Sequence, residues 1–193
     1  MVYYYKEKEL NVENQSYKTD HRLPDILFWS GLILFIAYKV FHLSLSYYWD
    51  ESWVYAPAVK TMADGIPSLL PGSIDVSLSR GHPLFFHFIY GWWIKVFGTS
   101  ATALHACSLS ITSTLLYLVY YIGKKLFHPW VGVTASLLLL AQSITLSQGA
   151  MVLPEIPVAL LSILSIYYFI QERYWAFALS ATCLLLTLSL IHI

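Results

Sequence analysis

Charged residues are scarce in this chain, and it also lacks a basic excess, cysteines placed for a disulfide or a metal, and internal repeats. Only 11% of its 193 residues are charged, against about a quarter in an ordinary soluble domain. Acidic and basic residues number 11 each, which leaves no basic excess for binding nucleic acid. Its two cysteines, Cys107 and Cys183, both lie within apolar runs, so we expect neither a disulfide nor a cysteine-bound metal. No internal repeat is visible.

What the chain has instead is long apolar runs. Hydrophobic residues make up 58% of it, and a helix needs about 20 apolar residues to cross a bilayer. The sequence therefore predicts an all-α integral membrane protein, a polytopic helical bundle whose first external segment, 48–103, contains short juxtamembrane helices. The predicted spans are 26–47, 104–122, 130–147, 155–170 and 175–187.

The two ends of the sequence are set apart from this bundle. Residues 1–25 are polar and of mixed charge, and the run that follows is too long for a cleaved signal peptide, so we expect a cytoplasmic tail followed by a retained span. Residues 188–193 match the translation of a transposase adapter sequence used in DNA library preparation. We therefore expect residues 26–187 to be the N-terminal part of a longer transmembrane domain.

The apolar segment Leu84–Phe97 decides the predicted topology. At about 14 residues it is more typical of an interfacial helix than of a span. If it does not cross, seven basic residues lie inside and three outside; if it crosses, five lie on each side. The first arrangement obeys the positive-inside rule. The inside group is then Lys6, Lys8, Lys18, Arg22, Lys124, Lys125 and Arg173, and the outside group is Lys60, Arg80 and Lys95.

Under this topology, three carboxylates become candidate catalytic or ligand-binding residues. Asp50 and Glu51 come directly after the first span, and Glu155 stands between Pro154 and Pro157 at the start of a later one. With Leu84–Phe97 at the surface, all three face the same external compartment. They could hold a divalent cation, which favours carboxylate oxygens, or Glu155 could simply be a carboxylate that the helix dipole stabilises. No other cofactor is indicated.

The order of short motifs along the chain resembles a known family. The N-terminal part of the GT-C glycosyltransferases has a similar series, and the strongest likeness is to bacterial proteins related to dolichyl-phosphate-mannose protein mannosyltransferases and to the lipid A aminoarabinose transferases. The motifs that carry the resemblance are Trp49-Asp50-Glu51, Met62-Ala63-Asp64-Gly65, Arg80-Gly81-His82-Pro83-Leu84, Trp93-Ile94-Lys95-Val96-Phe97-Gly98 and Pro154-Glu155-Ile156-Pro157.

The resemblance implies a multi-pass enzyme of the cell membrane, such as the bacterial inner membrane, with its site on the extracytoplasmic face. Such an enzyme moves a sugar from a polyprenyl-phosphate donor to a lipid, glycan or protein acceptor. Asp50 is then the expected catalytic base, and Glu155 takes the place where the family often has Asp. The expected substrate-binding residues are Glu51, Tyr55, Lys60, Arg80 and His82, of which Arg80 and His82 would meet the phosphate.

Two other readings of the same residues remain open. A transporter or channel fragment would also carry acids at the membrane edge, and a membrane scaffold would tolerate Asp50→Asn without loss. Three histidines, His87, His105 and His128, are expected at the membrane interface. Lys39, inside the first span, is expected to have a structural or packing role.

Overall fold

The computed structural model of the chain describes residues 22–79 and 83–187, and this part is helical with no strand. The predicted tail residues 1–21, Arg80, His82 and residues 188–193 lie outside it. The helices are α1 Arg22–Val40, a π-helical turn Glu51–Tyr55, α2 Ala56–Asp64, α3 Val76–Ser79, α4 Phe85–Phe97, α5 Ala101–Leu126, α6 Pro129–Leu140, α7 Ser143–Gln148, α8 Glu155–Ile170 and α9 Tyr174–Leu185.

Two of the described helices, α1 and α5, are long and apolar enough to cross a membrane, and α6, α8 and α9 are shorter apolar helices. α1 buries Phe28, Leu32 and Phe35, which recur every three or four residues on one face. Its opposite face leaves apolar side chains such as Leu34 uncovered, at 70% exposure. A helix that is apolar all round is typical of the core of a large protein or of a membrane span.

Contacts at both ends of α1 and α5 show that these two helices are antiparallel. The ring of His105, near the start of α5, bonds to the carbonyl of Leu43 just beyond α1. Lys124, near the end of α5, bonds to Asp25 in the first turn of α1, at 2.7 Å. We call the first of these ends the cavity end and the second the basic end.

α6 and α8 also meet α5 at the basic end. Lys125 donates to Tyr167 near the end of α8, at 2.7 Å, so α8 finishes at the basic end. α5 and α6 meet there through Gly123 and Gly132, where a Cβ on Gly132 would lie 2.4 Å from the Tyr120 carbonyl oxygen. Small residues permit this close approach, as is common between membrane helices.

The predicted run 130–147 does not form one continuous helix. α6 ends at Leu140, Gln142 adopts an extended backbone with ψ of 133°, and α7 begins at Ser143. The Gln142 side chain makes no cap hydrogen bond to α7, so the extended backbone at Gln142 is what interrupts the helical ladder. The break leaves α7 as a separate short element at the cavity end, where its Ser147 carbonyl meets the Lys39 ammonium at 3.3 Å.

α4 lies beside the first turns of α5. Tyr90 and Ser108 share a buried hydrogen bond of 2.8 Å, and the indole of Trp93 donates to the Ala103 carbonyl at 2.8 Å. With 13 residues, α4 is about 20 Å long, well short of the roughly 30 Å of a hydrocarbon core. It therefore covers only the cavity-end half of α5.

Candidate active site

The turn that carries Asp50 has an unusual backbone. Trp49 has a φ of 45°, one of two positive values among the non-glycine residues described, and this conformation is costly for a residue with a bulky side chain. Backbone hydrogen bonds from Glu51 to the Tyr48 carbonyl and from Ser52 to the Trp49 carbonyl close the turn. The turn leaves Asp50 exposed and directs the next residue, Glu51, inward.

Glu51 is the anchor of this turn. It is 1% exposed, and its carboxylate accepts three hydrogen bonds from three parts of the chain. Oε1 receives the Val152 N–H at 2.6 Å and lies 3.1 Å from His105 Nε2, while Oε2 receives the Tyr48 N–H at 3.1 Å. Burial by itself raises the pKa of Glu51, but the bonds from His105, Val152 and Tyr48 outweigh it and hold that pKa below its ordinary value.

A cleft of about 520 Å³ opens beside Asp50. One wall is the turn itself, and the other is the segment from α7 to the start of α8. The lining residues are Tyr48, Trp49, Asp50, Ser147, Gln148, Met151 and Leu153. An acid, an amide, a hydroxyl and two aromatic rings allow this cleft to combine hydrogen bonding with apolar contact, as small-molecule sites do.

A smaller cavity of about 160 Å³ adjoins this cleft and shares Tyr48, Ser147 and Met151 with it. Lys39 and His42 of the first helix and its extension also line the smaller cavity, together with Glu51 and His105. Lys39 is 7% exposed, and its ammonium bonds the Ser147 carbonyl, so it joins the first helix to α7.

Glu155, the second predicted acid, is exposed in the first turn of α8. It follows Val152 by three residues, and Val152 is bonded to Glu51. That bond brings the two predicted acid-bearing segments to the same end of the bundle. Glu155 is placed just past Leu153, the last lining residue of the cleft.

The other predicted substrate-binding residues lie elsewhere or outside the described part of the chain. Tyr55 packs edge-on against Phe86, with ring centroids 5.4 Å apart. The Lys60 ammonium lies 4.9 Å from the centre of the Tyr47 ring. Within residues 22–79 and 83–187, neither lines the cleft. Arg80 and His82 fall in the gap between these ranges.

The divalent-cation alternative finds no ligand set here: no group of three or more His, Cys, Asp or Glu residues suited to a metal occurs in the described ranges. The interfacial position of His105 stays a prediction, but its ring is 5% exposed and bonded on both sides within the protein. His87 is likewise buried, at 1% exposure. The sequence did contain a signal for the burial of His105: this histidine lies early in a predicted span, on the same helix face as Leu104 and Ser108, which are buried. The sequence did not predict Gln148 as a site residue, because it reaches the Asp50 cleft only through the break between α6 and α7.

Comparison with known proteins identifies the family of this chain. The family model described as dolichyl-phosphate-mannose-protein mannosyltransferase matches residues 81–189, more than half of the chain, including His105 and Glu155 but not Asp50. A search of curated proteins found no match, and neither did a search of solved structures. With this match and a helical chain that carries membrane-length apolar helices, the protein belongs to the dolichyl-phosphate-mannose-protein mannosyltransferase family, which is of the GT-C glycosyltransferase type.

Proposed function

We propose that the chain carries the acid-bearing part of a membrane glycosyltransferase that moves a sugar from a polyprenyl-phosphate donor to a hydroxyl of a lipid, glycan or protein. The observation that carries the proposal is the exposed Asp50 carboxylate on a cleft of about 520 Å³, next to the buried and fully bonded Glu51. The family match supports the reaction class, and it gives no support to the transporter reading.

Asp50 acts as the general base in this proposal. The acceptor hydroxyl attacks the anomeric carbon, the bond from that carbon to the donor phosphate breaks, and the hydroxyl proton passes to the Asp50 carboxylate. A positioned base of this kind typically contributes a factor of about 10²–10⁴. The electron pair of the broken bond leaves on the lipid phosphate, which needs no proton but favours a nearby cation.

Glu155 is proposed as the second acid of the site, in contact with the acceptor or donor sugar. Its position at the start of α8, three residues after the Val152 bond to Glu51, supports this role. Glu51 is proposed to orient the turn instead of touching substrate, because its carboxylate is buried and already occupied. Arg80 and His82 keep their proposed role toward the phosphate.

The site is proposed to face the extracytoplasmic side of the cell membrane. Lys124 and Lys125 at the basic end match the positive-inside rule if that end is cytoplasmic. α4 lies along the cavity-end half of α5, which is what a segment that does not cross would do. Asp50 and Glu155 then open to the same compartment, and the lipid of the donor approaches from the bilayer beside them.

Sugar transfer tests the proposal. Membranes containing the full-length protein are incubated with radiolabelled polyprenyl-phosphate sugars, and wild type is compared with Asp50→Asn and with Asp75→Asn. Asp75 is exposed in the same predicted external segment and accepts the Ser77 N–H at 2.7 Å, so it is a matched control. We expect Asp50→Asn to lose about 10²-fold or more and Asp75→Asn to keep wild-type transfer. Equal transfer by both variants would remove Asp50 from the chemistry.

A further inference from the structure

One carboxylate oxygen joins the two walls of the cleft. Glu51 Oε1 belongs to the turn that carries Asp50, and the Val152 N–H that it accepts at 2.6 Å belongs to the opposite wall, between Met151 and Leu153. The same oxygen is also the one that faces His105 Nε2. The position of Glu51 Oε1 therefore sets the distance between Asp50 and the Val152 wall. His105 is the side chain that holds this oxygen in position.

The bonds of His105 require a definite protonation state. Nδ1 lies 2.9 Å from the Leu43 carbonyl oxygen, which can only accept a hydrogen bond. Nε2 lies 3.1 Å from Glu51 Oε1, and the N–H groups of Tyr48 and Val152, which help to hold the pKa of Glu51 below its ordinary value, favour the ionised, acceptor-only carboxylate there. A neutral imidazole has a single N–H, so only the imidazolium can donate to both partners.

The groups around the ring act on this charge in opposite directions: the Glu51 carboxylate stabilises it, whereas burial and the nearby Lys39 ammonium oppose it. Tyr47 meets it edge-on, with centroids 5.6 Å apart. Lys39 and His42 line the adjoining small cavity with it, and Glu51 is the carboxylate in that cavity lining. His105 itself lines no part of the Asp50 cleft among the residues described, so any effect that it has on a reaction there must pass through Glu51.

We propose that His105 is a positioning residue of the transferase: its imidazolium holds the Glu51 carboxylate, and through it the Asp50 turn, at the correct distance from the Val152 wall. The proposal rests on the proposed function, since it concerns the placing of the Asp50 base. A displacement of about 1 Å in a reacting group can cost on the order of 100-fold in rate, so the effect falls on kcat.

Two amide substitutions separate the two bonds of the ring. In His105→Gln the side-chain amide can reach the place of Nε2 and donate to Glu51; in His105→Asn the shorter amide can reach only the place of Nδ1 and donate to Leu43. Transfer kinetics and melting temperature are measured for both in membranes or nanodiscs. We expect kcat to fall about 10- to 100-fold in His105→Asn and less than about threefold in His105→Gln, with donor KM alike in the two variants when each is assayed well below its own melting temperature.

Equal kcat in the two variants, or a loss of kcat that only follows the melting temperature, would overturn the positioning role. A ¹⁵N spectrum of histidine-labelled protein supplies a readout independent of transfer. The signal that vanishes in His105→Gln must show two protonated ring nitrogens near neutral pH, and a single protonated nitrogen would overturn the imidazolium. If wild type transfers no sugar from any polyprenyl-phosphate donor, the proposed function fails and the positioning role fails with it, while the spectrum still decides whether the ion pair exists.

Discussion

The two ends of the bundle each pair an acid with a base, but in opposite surroundings. At the basic end the side chains of Lys124 and Asp25 are 35% and 37% exposed. At the cavity end those of His105 and Glu51 are 6% and 2% exposed. An exposed pair contributes at most about 1 kcal/mol, whereas a buried carboxylate must have all its partners in place. The exposed Lys124–Asp25 pair therefore links α1 to α5, whereas the buried His105–Glu51 pair sets the geometry of the candidate site.

The largest expected effect breaks the cavity-end pair. Glu51→Leu would leave the N–H groups of Tyr48 and Val152 and the buried ring of His105 without their acceptor, which costs about 3–5 kcal/mol. Asp25→Asn at the basic end keeps an acceptor oxygen for Lys124 and should cost about 0–1 kcal/mol. Free energies of unfolding in mixed micelles measure both. Similar losses in the two variants would contradict the contrast between the ends.

The next effect concerns packing at the basic end. A methyl group on Gly132 would meet the Tyr120 carbonyl oxygen at 2.4 Å, while one on Gly65 meets no atom within 4 Å. We expect Gly132→Ala to lose about 1–3 kcal/mol and Gly65→Ala to lose far less, by the same unfolding measurement. Transfer activity of Gly132→Ala below its melting point should stay near wild type, because the basic end does not position the acids.

A smaller effect is expected from the second acid. Glu155→Gln keeps the size and one acceptor of the side chain but removes its charge, and a hydrogen bond to a charged group is worth roughly 1.5–3 kcal/mol. Transfer should then fall by about 10- to 150-fold in kcat/KM. Glu172→Gln, beyond the end of α8 at the basic end, is the control. Unchanged transfer in Glu155→Gln would leave this carboxylate as a helix-start charge only.

The smallest effect is a dependence of stability on pH. The pKa of Glu51 is held below its ordinary value of 4.5, so its stabilising contribution is complete above about pH 4.5 and is lost as the pH falls through the lowered value. Melting temperatures of wild type should therefore drop more steeply below pH 4.5 than those of Glu51→Gln. Parallel curves for the two proteins would show that Glu51 is not held ionised by its partners.

Much of the helical layout could be predicted from the sequence because apolar runs and their flanking charges are local signals. Four of the predicted spans coincide in large part with α1, α5, α8 and α9. The remaining predicted span, 130–147, is predicted as continuous but is broken at Gln142, whose extended backbone separates α6 from α7. The average apolar content of a window of residues does not reveal a one-residue break in a helix such as the one at Gln142.

The site was predictable only in part. Asp50 and Glu155 stood out because they flank apolar runs in a chain with few charges, yet the cleft between their segments depends on a bond between Glu51 and Val152, which are 101 positions apart. His105 was missed because a histidine at the start of a span is equally compatible with an interface. Pairings over such separations come from tertiary packing, which single-sequence patterns do not encode.

The most direct test of the account asks whether the cavity end faces one compartment and the basic end the other. Single cysteines replace Asp50, Glu155, Lys125 or Arg173 in a protein whose Cys107 and Cys183 are changed to alanine, and a membrane-impermeant maleimide is added to intact cells. The account predicts labelling at positions 50 and 155 from outside, and at 125 and 173 only after the membrane is permeabilised. Labelling of 50 and 155 from opposite sides would contradict it, because the two acids could not then share a site.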